Sequence, residues 1–299
     1  MTHAIKPLPV FVISLPQSPR RPVIESRLRA FGIGFSFIDG IPGHALSRDM
    51  IANVSDPERS LRRMGRLLTP NEIGCALSHR QAYRHIIESG HEAAVILEDD
   101  AIPGEQLLDL IRQWQSIPAT IDLLSLFKGS GIIVRQGAFT LGSTRLARAA
   151  STIEYACGYF IRRTTAIKLY SVTKKISSVA DWPFDLRDLR HYVTEPDLVR
   201  HDFALPSEIG EDRPGFRAPP PPFARKILGL KAMLFITYFQ NRAKYDSLYN
   251  YYERELRVRI MARLPWRYEI LPGYYRWPDK SAAPVASASR ELAAPRTPA

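Results

Sequence analysis

Ala94-Val95-Ile96-Leu97-Glu98-Asp99-Asp100 is an apolar run that ends in three consecutive carboxylates. An uninterrupted aliphatic run of this length reads as a strand buried on both faces of a parallel sheet. Open α/β sheets bind ligands beyond the carboxyl ends of their strands. Three acids at such an end repel one another unless a cation lies between them. Hard oxygen donors favour Mg²⁺ or Mn²⁺, which take one or two protein carboxylates and leave room for substrate phosphates. The stretch therefore predicts a metal–diphosphate site at a strand tip. The same acids also suit a cap or a solvated turn ahead of Pro103-Gly104.

Working outward, Val10-Phe11-Val12-Ile13-Ser14-Leu15 reads as a buried strand, residues 16–21 as a basic turn and residues 23–31 as a helix ending at Gly32. Phe35-Ser36-Phe37-Ile38 is a short strand running into Asp39-Gly40, which completes a β-α-β opening and predicts a parallel pair. Residues 48–67 are charged and weakly periodic, a loop with some helix. Thr69-Pro70-Asn71-Glu72 places an N-cap threonine, a proline at the first helical position and a glutamate three residues on, the pattern of a capping box. The helix it starts runs to Gly90 and delivers the chain into the 94–97 strand. Further on, residues 106–116 read as helix, 122–127 as an apolar run and 129–142 as short strands or loop. Residues 155–161 read as a strand, 164–172 as a short helix, 181–185 as a loop, and His191-Tyr192-Val193 as a last short strand before Pro206.

The composition changes at Arg217-Ala218-Pro219-Pro220-Pro221-Pro222, a proline linker. Residues 1–216 are thus expected to form the main domain and 217–222 the linker. Residues 223–278 are expected to form a basic, aromatic, helical appendage, and the Ala/Pro/Ser-rich residues 279–299 a disordered tail. The formal charge is +11, and residues 225–276 hold 11 Lys and Arg against 4 Asp and Glu. Such an appendage suits an anionic partner: nucleic acid, an anionic lipid surface or a phosphorylated acceptor. The aromatic and basic interleaving suits the headgroup region of a membrane, or equally a helix docked on the main domain. Nucleic acid is not favoured, because no RNP, zinc or helix-turn-helix signature accompanies the charge. A Walker-type loop is also absent. Cys75 and Cys157 are too few for a disulfide framework or a cysteine-rich zinc site and suit a reducing compartment. The first nine residues lack an apolar signal-peptide core, and no apolar stretch reaches the roughly 20 residues of a spanning helix. The expected location is cytoplasmic, with any membrane contact peripheral on the inner face of the plasma membrane.

Leu68-Thr69-Pro70-Asn71-Glu72-Ile73-Gly74-Cys75-Ala76-Leu77-Ser78-His79, followed by Val95-Ile96-Leu97-Glu98-Asp99-Asp100-Ala101, resembles the central signature of glycosyltransferase family 25. The family comprises lipopolysaccharide and lipooligosaccharide glycosyltransferases, with animal collagen galactosyltransferases as relatives. Val12-Ile13-Ser14-Leu15 with Arg20-Arg21, Phe37-Ile38-Asp39-Gly40, and Cys157-Gly158-Tyr159-Phe160-Ile161 with Asp181 are similar to it as well. The resemblance spans roughly residues 8–205. It implies a GT-A-like, Rossmann-type nucleotide-sugar-binding domain with a mainly parallel central sheet. It also implies a UDP-sugar donor (often UDP-galactose), Mn²⁺ or Mg²⁺, inversion at the anomeric carbon, and a saccharide acceptor that is lipid-linked.

On that resemblance Glu98-Asp99-Asp100 takes the place of an Asp-X-Asp motif. Asp100 is the expected direct metal ligand and Glu98 a contact to metal or ribose. Asp99 is expected at the donor or, alternatively, as the residue that orients the loop. His79 is expected to face the donor site, binding a phosphate or orienting the metal ligands. Arg20 and Arg21 are placed for the diphosphate, since guanidinium forks suit phosphate oxygens, and Asp39 for the uridine. An inverting transferase needs a general base to deprotonate the acceptor hydroxyl. Asp181 is the favoured position, with Asp185 open because the proline that usually precedes the acid is missing. The alternatives to this enzyme are a catalytically degenerate scaffold and a basic nucleic-acid- or membrane-binding protein.

Overall fold

The computed structural model describes residues 8–64, 66–129, 131–180, 189–205 and 267–270. The β-α-β opening is present. Strand β1 (Val10–Ser14) leads into α1 (Arg21–Ala30), and β2 (Ser36–Asp39) returns parallel to β1 with Ser14 opposite Asp39. The charged stretch that follows forms two short helices, α2 (Arg48–Val54) and α3 (Pro57–Met64). Helix α4 (Pro70–Glu88) starts with the expected capping box: the Glu72 amide donates to Thr69 Oγ1 at 3.2 Å and the Thr69 amide to Glu72 Oε2 at 3.0 Å. Glu72 is almost fully buried, and a two-pronged pair with Arg66 at 2.6 and 2.7 Å neutralises its charge. The hydrogen bond to Glu72 raises the Arg66 pKa above its ordinary value despite partial burial.

The chain then passes through β3 (Ala93–Glu98), β4 (Ala101–Pro103), α5 (Gln106–Gln113), β5 (Leu123–Ser125), β6 (Ile132–Val134), β7 (Phe139–Leu141) and β8 (Thr144–Arg148). It continues through β9 (Gly158–Arg162), α6 (Arg163–Val172), β10 (His191–Glu195) and β11 (Val199–His201), and β12 (Tyr268–Ile270) is the last described strand. The main sheet has eight strands in the order β2-β1-β3-β9-β5-β10-β8-β7. Parallel pairing holds β1 to β2 and β3, and β5 to β10; β9 and β8 run against their neighbours.

Alternation along β3 divides the core. Val95 and Leu97 face a cluster that includes Ile24 and Leu28 of α1 and Leu107 and Leu110 of α5. Ala94 and Ile96 face the other cluster, with Tyr83 and Ile86 of α4 and Ala166 and Leu169 of α6. Helices thus cover both faces of β3, which is why the strand is apolar without interruption.

Several details differ from the sequence reading. The strand expected over 155–161 begins only at Gly158 and is inserted antiparallel between β3 and β5. A strand that the sequence reading did not identify, β8, pairs with β10. His191-Tyr192-Val193 does not lie in the last strand, because β11 follows it and pairs antiparallel with β4, His201 opposite Ala101. Within the segment read as a helical appendage, residues 268–270 form β12 on β6. The rest of that segment, the proline linker and the tail lie outside the described residues. Both cysteines are free thiols; Cys157 is buried, whereas Cys75 is only half-buried. Among the described residues no helix is long and apolar enough to cross a membrane.

His191 on β10 is buried, with Nε2 at 2.8 Å from Ser125 Oγ on β5. Burial pushes its pKa from 6.5 down to about 3. Between those values the unfolded chain takes up a proton that the folded chain refuses, so stability falls as pH drops through that window. Thermal unfolding from pH 7 to 4 is expected to show an acid-side slope that His191→Gln flattens. The difference between the two should approach about 1.4 kcal/mol per pH unit; identical pH profiles would count against a neutral buried His191.

Candidate active site at the tip of the third strand

The period of two that divides the core also sorts the three acids. Glu98 continues the Ala94–Ile96 side towards α4, and Asp99 continues the Val95–Leu97 side towards α1. On the α4 side, His79 Nε2–H donates to Glu98 Oε1 at 2.9 Å. His79 Nδ1 lies 2.8 Å from the Tyr159 hydroxyl, which lies 3.3 Å from that of Tyr83. Burial works against ionisation of Glu98, but the hydrogen bond from His79 and the nearby His79, His201 and Arg20 hold its pKa below the usual carboxylate value. The burial of Tyr83 and Tyr159 pushes their phenols up.

On the α1 side, Asp99 is buried and accepts from Ser14 Oγ at 2.7 Å, Ser18 Oγ at 2.9 Å and Arg20 Nη1 at 3.2 Å. Ser14 ends β1 on the same face, so the turn between β1 and α1 is tied to the tip of β3. Asp99 is thus tied to the β1–α1 turn, an arrangement that suits the loop-orienting alternative. His79, expected to bind a phosphate or to orient the metal ligands, is held in a way that suits the second role. It is 2% exposed with both ring nitrogens engaged, so it positions Glu98 and presents no nitrogen to a phosphate.

Asp100 lies in the turn between β3 and β4. Arg20 Nη1 donates to Asp100 Oδ2 at 3.3 Å, and His201 Nε2 lies 3.5 Å from the same oxygen. The other oxygen, Oδ1, is buried with no hydrogen-bond partner. Burial, reinforced by the charges of Glu98 and Asp99, pushes the Asp100 pKa up to about 8, with Arg20 opposing. A half-buried carboxylate with one buried, orphaned oxygen beside a second carboxylate is unfavourable alone and suits a cation. Glu98 and Asp100 carry the carboxylate oxygens that Mn²⁺ or Mg²⁺ accept, and with His201 they are the residues at this strand tip that could hold such an ion. Among the described residues the trio whose ligand atoms lie within 4.8 Å of one another is Cys75, His79 and Glu98, but its thiol suits softer metals.

Sequence reasoning missed His201. It reaches Asp100 because β11 pairs with β4 and because the Asp202 amide donates to the Asp100 carbonyl at 2.9 Å. Nothing local in Val199-Arg200-His201 signals that pairing. Arg21 and Asp39 come together at the tips of β1 and β2 as an ion pair of 2.7 Å, with the Arg21 guanidinium 4.1 Å above the Phe37 ring. Ser78 fixes the chain just beyond Asp39 by accepting from the Ile41 amide at 2.8 Å. Arg20, Arg21 and Asp39 thus lie together at the tips of β1 and β2 and the start of α1. Asp181 and Asp185 lie outside the described residues.

Residues 8–186 match the family model of glycosyltransferase family 25, described as LPS biosynthesis protein. A Rattus norvegicus protein named probable inactive glycosyltransferase 25 family member 3 is 33% identical over 100 residues, covering 30% of this chain and 17% of its own length. Procollagen galactosyltransferase 1 of Danio rerio is 26% identical over 225 residues, 64% of this chain and 35% of that protein. The chain therefore spans about a sixth to a third of the length of these curated relatives. Among solved structures, mannose-1-phosphate geranyltransferase from Thermus thermophilus is similar with a TM-score of 0.33 at 10% identity, over 62% of this chain and 72% of that one, too loose a likeness to bear on function. The family match runs from β1 through α6 and takes in the capped helix and the acidic strand tip, so the chain belongs to glycosyltransferase family 25.

Proposed function

We propose that this protein is an inverting, metal-dependent hexosyltransferase that moves galactose from UDP-galactose to a saccharide hydroxyl of a lipopolysaccharide or other lipid-linked glycan. The observation that carries the reading is Asp100: a half-buried carboxylate with one buried, orphaned oxygen, held at a strand tip beside Arg20 and His201. The family description names lipopolysaccharide biosynthesis, and the name of the Danio rerio relative supplies the galactosyl donor.

In this reading Asp100 is the metal ligand, assisted by Glu98 and His201. Bound Mn²⁺ or Mg²⁺ supplies positive charge against the departing diphosphate. His79 keeps Glu98 ionised and aimed. Arg20 and Arg21 bind diphosphate oxygens, and Asp39 contacts the uridine. Asp181, with Asp185 as the other position, takes the proton of the acceptor hydroxyl as it attacks in line. The basic segment 223–276 would hold the enzyme on an anionic membrane surface where a lipid-linked acceptor lies.

The test is a thermal-shift and donor-hydrolysis panel of UDP-, GDP- and CMP-sugars, with and without Mn²⁺. Manganese-dependent stabilisation and turnover with UDP-galactose are expected. Binding of a UDP-sugar without turnover would favour the degenerate scaffold, a reading that the relatives named inactive keep open. No response to any nucleotide sugar would overturn the proposal.

A further inference from the structure

Four aromatic rings gather near Asp100, at the tips of β5 and β9 and the end of β11. Phe127 follows β5, Tyr155 precedes β9, and His201 and Phe203 belong to the end of β11 and the turn after it. Ring centroids are 5.8 Å apart for Phe127–Tyr155, 5.9 Å for Tyr155–His201, 6.1 Å for Tyr155–Phe203 and 4.4 Å for His201–Phe203. Phe203 is 68% exposed, the most exposed large hydrophobic side chain among the described residues. We propose that Tyr155, His201 and Phe203 form the platform on which the sugar ring of the acceptor stacks; this rests on the transferase reading above and names the side from which the acceptor enters.

The sheet order carries the placement. The tips of β1 and β2, with the two arginines, lie on one side of β3, and the tips of β9 and β5, which carry Tyr155 and Phe127, on the other; His201 and Phe203 of β11 and its turn pack on Tyr155. In-line attack brings the acceptor hydroxyl to the anomeric carbon from the side opposite the leaving diphosphate. If the arginines hold the diphosphate, the acceptor arrives over β9 and β5, where the rings are. His201 belongs to both parts, with Nε2 3.5 Å from Asp100 Oδ2 and its ring packed on Phe203.

The platform is built in place. Tyr155 has a φ of 70°, the one non-glycine residue with positive φ among the described residues, a conformation that must be held by its surroundings. Gly129 makes room for it: a Cβ there would come within 2.9 Å of Tyr155 Cδ2. The turn carrying Phe203 is tied to α1 by the ion pair of Arg27 with Asp202 at 2.5 Å.

The chemistry of the patch selects a saccharide. A pyranose has an apolar C–H face and a rim of hydroxyls. Here a flat exposed ring is bordered by an imidazole, a phenol and the carboxylates of Asp100 and Asp202. One exposed ring is too small for a protein interface, which needs a contiguous apolar patch of several hundred Å².

The probes are methyl β-D-galactopyranoside and methyl β-D-glucopyranoside, observed by saturation-transfer NMR on the full chain with irradiation of aromatic protons. Transfer to the C–H protons of at least one glycoside is expected, falling about fivefold in Phe203→Ala and retained in Phe203→Trp. UDP affinity and the unfolding temperature should not change in Phe203→Ala. Transfer that is equal in wild type and Phe203→Ala would overturn the platform, as would no transfer in wild type. Loss of saturation on the uracil protons of UDP in Phe203→Ala would also overturn it, because the rings would then hold the nucleobase. Failure of UDP-galactose to bind, with Phe203-dependent glycoside binding intact, would instead sink the transferase reading and leave a saccharide site.

Discussion

Asp100→Asn is expected to lower transferase turnover by about 10²–10³-fold while leaving the metal-free protein at least as stable as wild type. The two effects share a cause. Asp100 Oδ1 is buried without a hydrogen-bond partner, and Oδ2 has only a long contact to Arg20 and a longer one to His201. The ionised carboxylate is therefore poorly solvated and repelled by Glu98, as its pKa of about 8 expresses. Folding raises this pKa above its unfolded value of 3.8, so at neutral pH the group opposes folding. A neutral amide of the same shape relieves that opposition and is expected to gain up to about 3 kcal/mol, while removing the anionic ligand. Parallel activity assays and thermal melts in chelator check both halves. Full activity in the variant would remove Asp100 from the chemistry, and a large loss of stability would show that its carboxylate supports the fold. Asp99→Asn should behave oppositely, losing stability through Ser14, Ser18 and Arg20.

Gly74→Ala is expected to be among the most damaging single methyl groups in the described fold. A Cβ at Gly74 would fall on the Ile41 carbonyl oxygen and within 2.8 Å of the Gly43 nitrogen. Gly43 in turn lies so close to Pro70 that a Cβ there would overlap its carbonyl group. All the obstructing atoms are backbone, so no rotamer change relieves the clash. The first turns of α4 must move away from the chain after β2, and Ser78 then loses the Ile41 amide. Overpacking against backbone should cost about 3 kcal/mol or more, a fall of roughly 10 °C in Tm. Gly34→Ala is the control, because nothing lies within 4 Å of a Cβ there; it should change stability by no more than about 0.5 kcal/mol. Equal melting temperatures for the two variants would contradict the close approach of α4.

The parts of the site legible in the sequence are those governed by local chemistry. The capping box at Thr69 and Glu72 rests on residues three apart, and the acidic end of β3 follows an apolar run whose burial is unmistakable. The different fates of Glu98 and Asp99 were implicit in the alternation of the strand, but they become specific only when α4 supplies His79 and β1 supplies Ser14. The direction of β9 was not legible, since a buried run reads alike whether its partner is parallel or antiparallel. β8 was missed because Thr144-Arg145-Leu146-Ala147-Arg148 is short and half polar; its place depends on β10, some fifty residues later. His201 and Phe203 were missed for the same reason, because pairing with β4 brings them to the acids.

That pairing of His201 with Ala101 also bears on how the protein comes into being. Partners a hundred residues apart close a long loop, and contacts of such sequence separation form late and slowly. During synthesis, β1, α1, α4 and β3 can assemble as soon as they clear the ribosome, giving a nucleus that already carries the three carboxylates. Until β11 emerges and docks, the acidic turn has neither its imidazole nor its aromatic border. The acidic turn therefore acquires its surroundings only after β11 has been made, about a hundred residues after the strand that carries it.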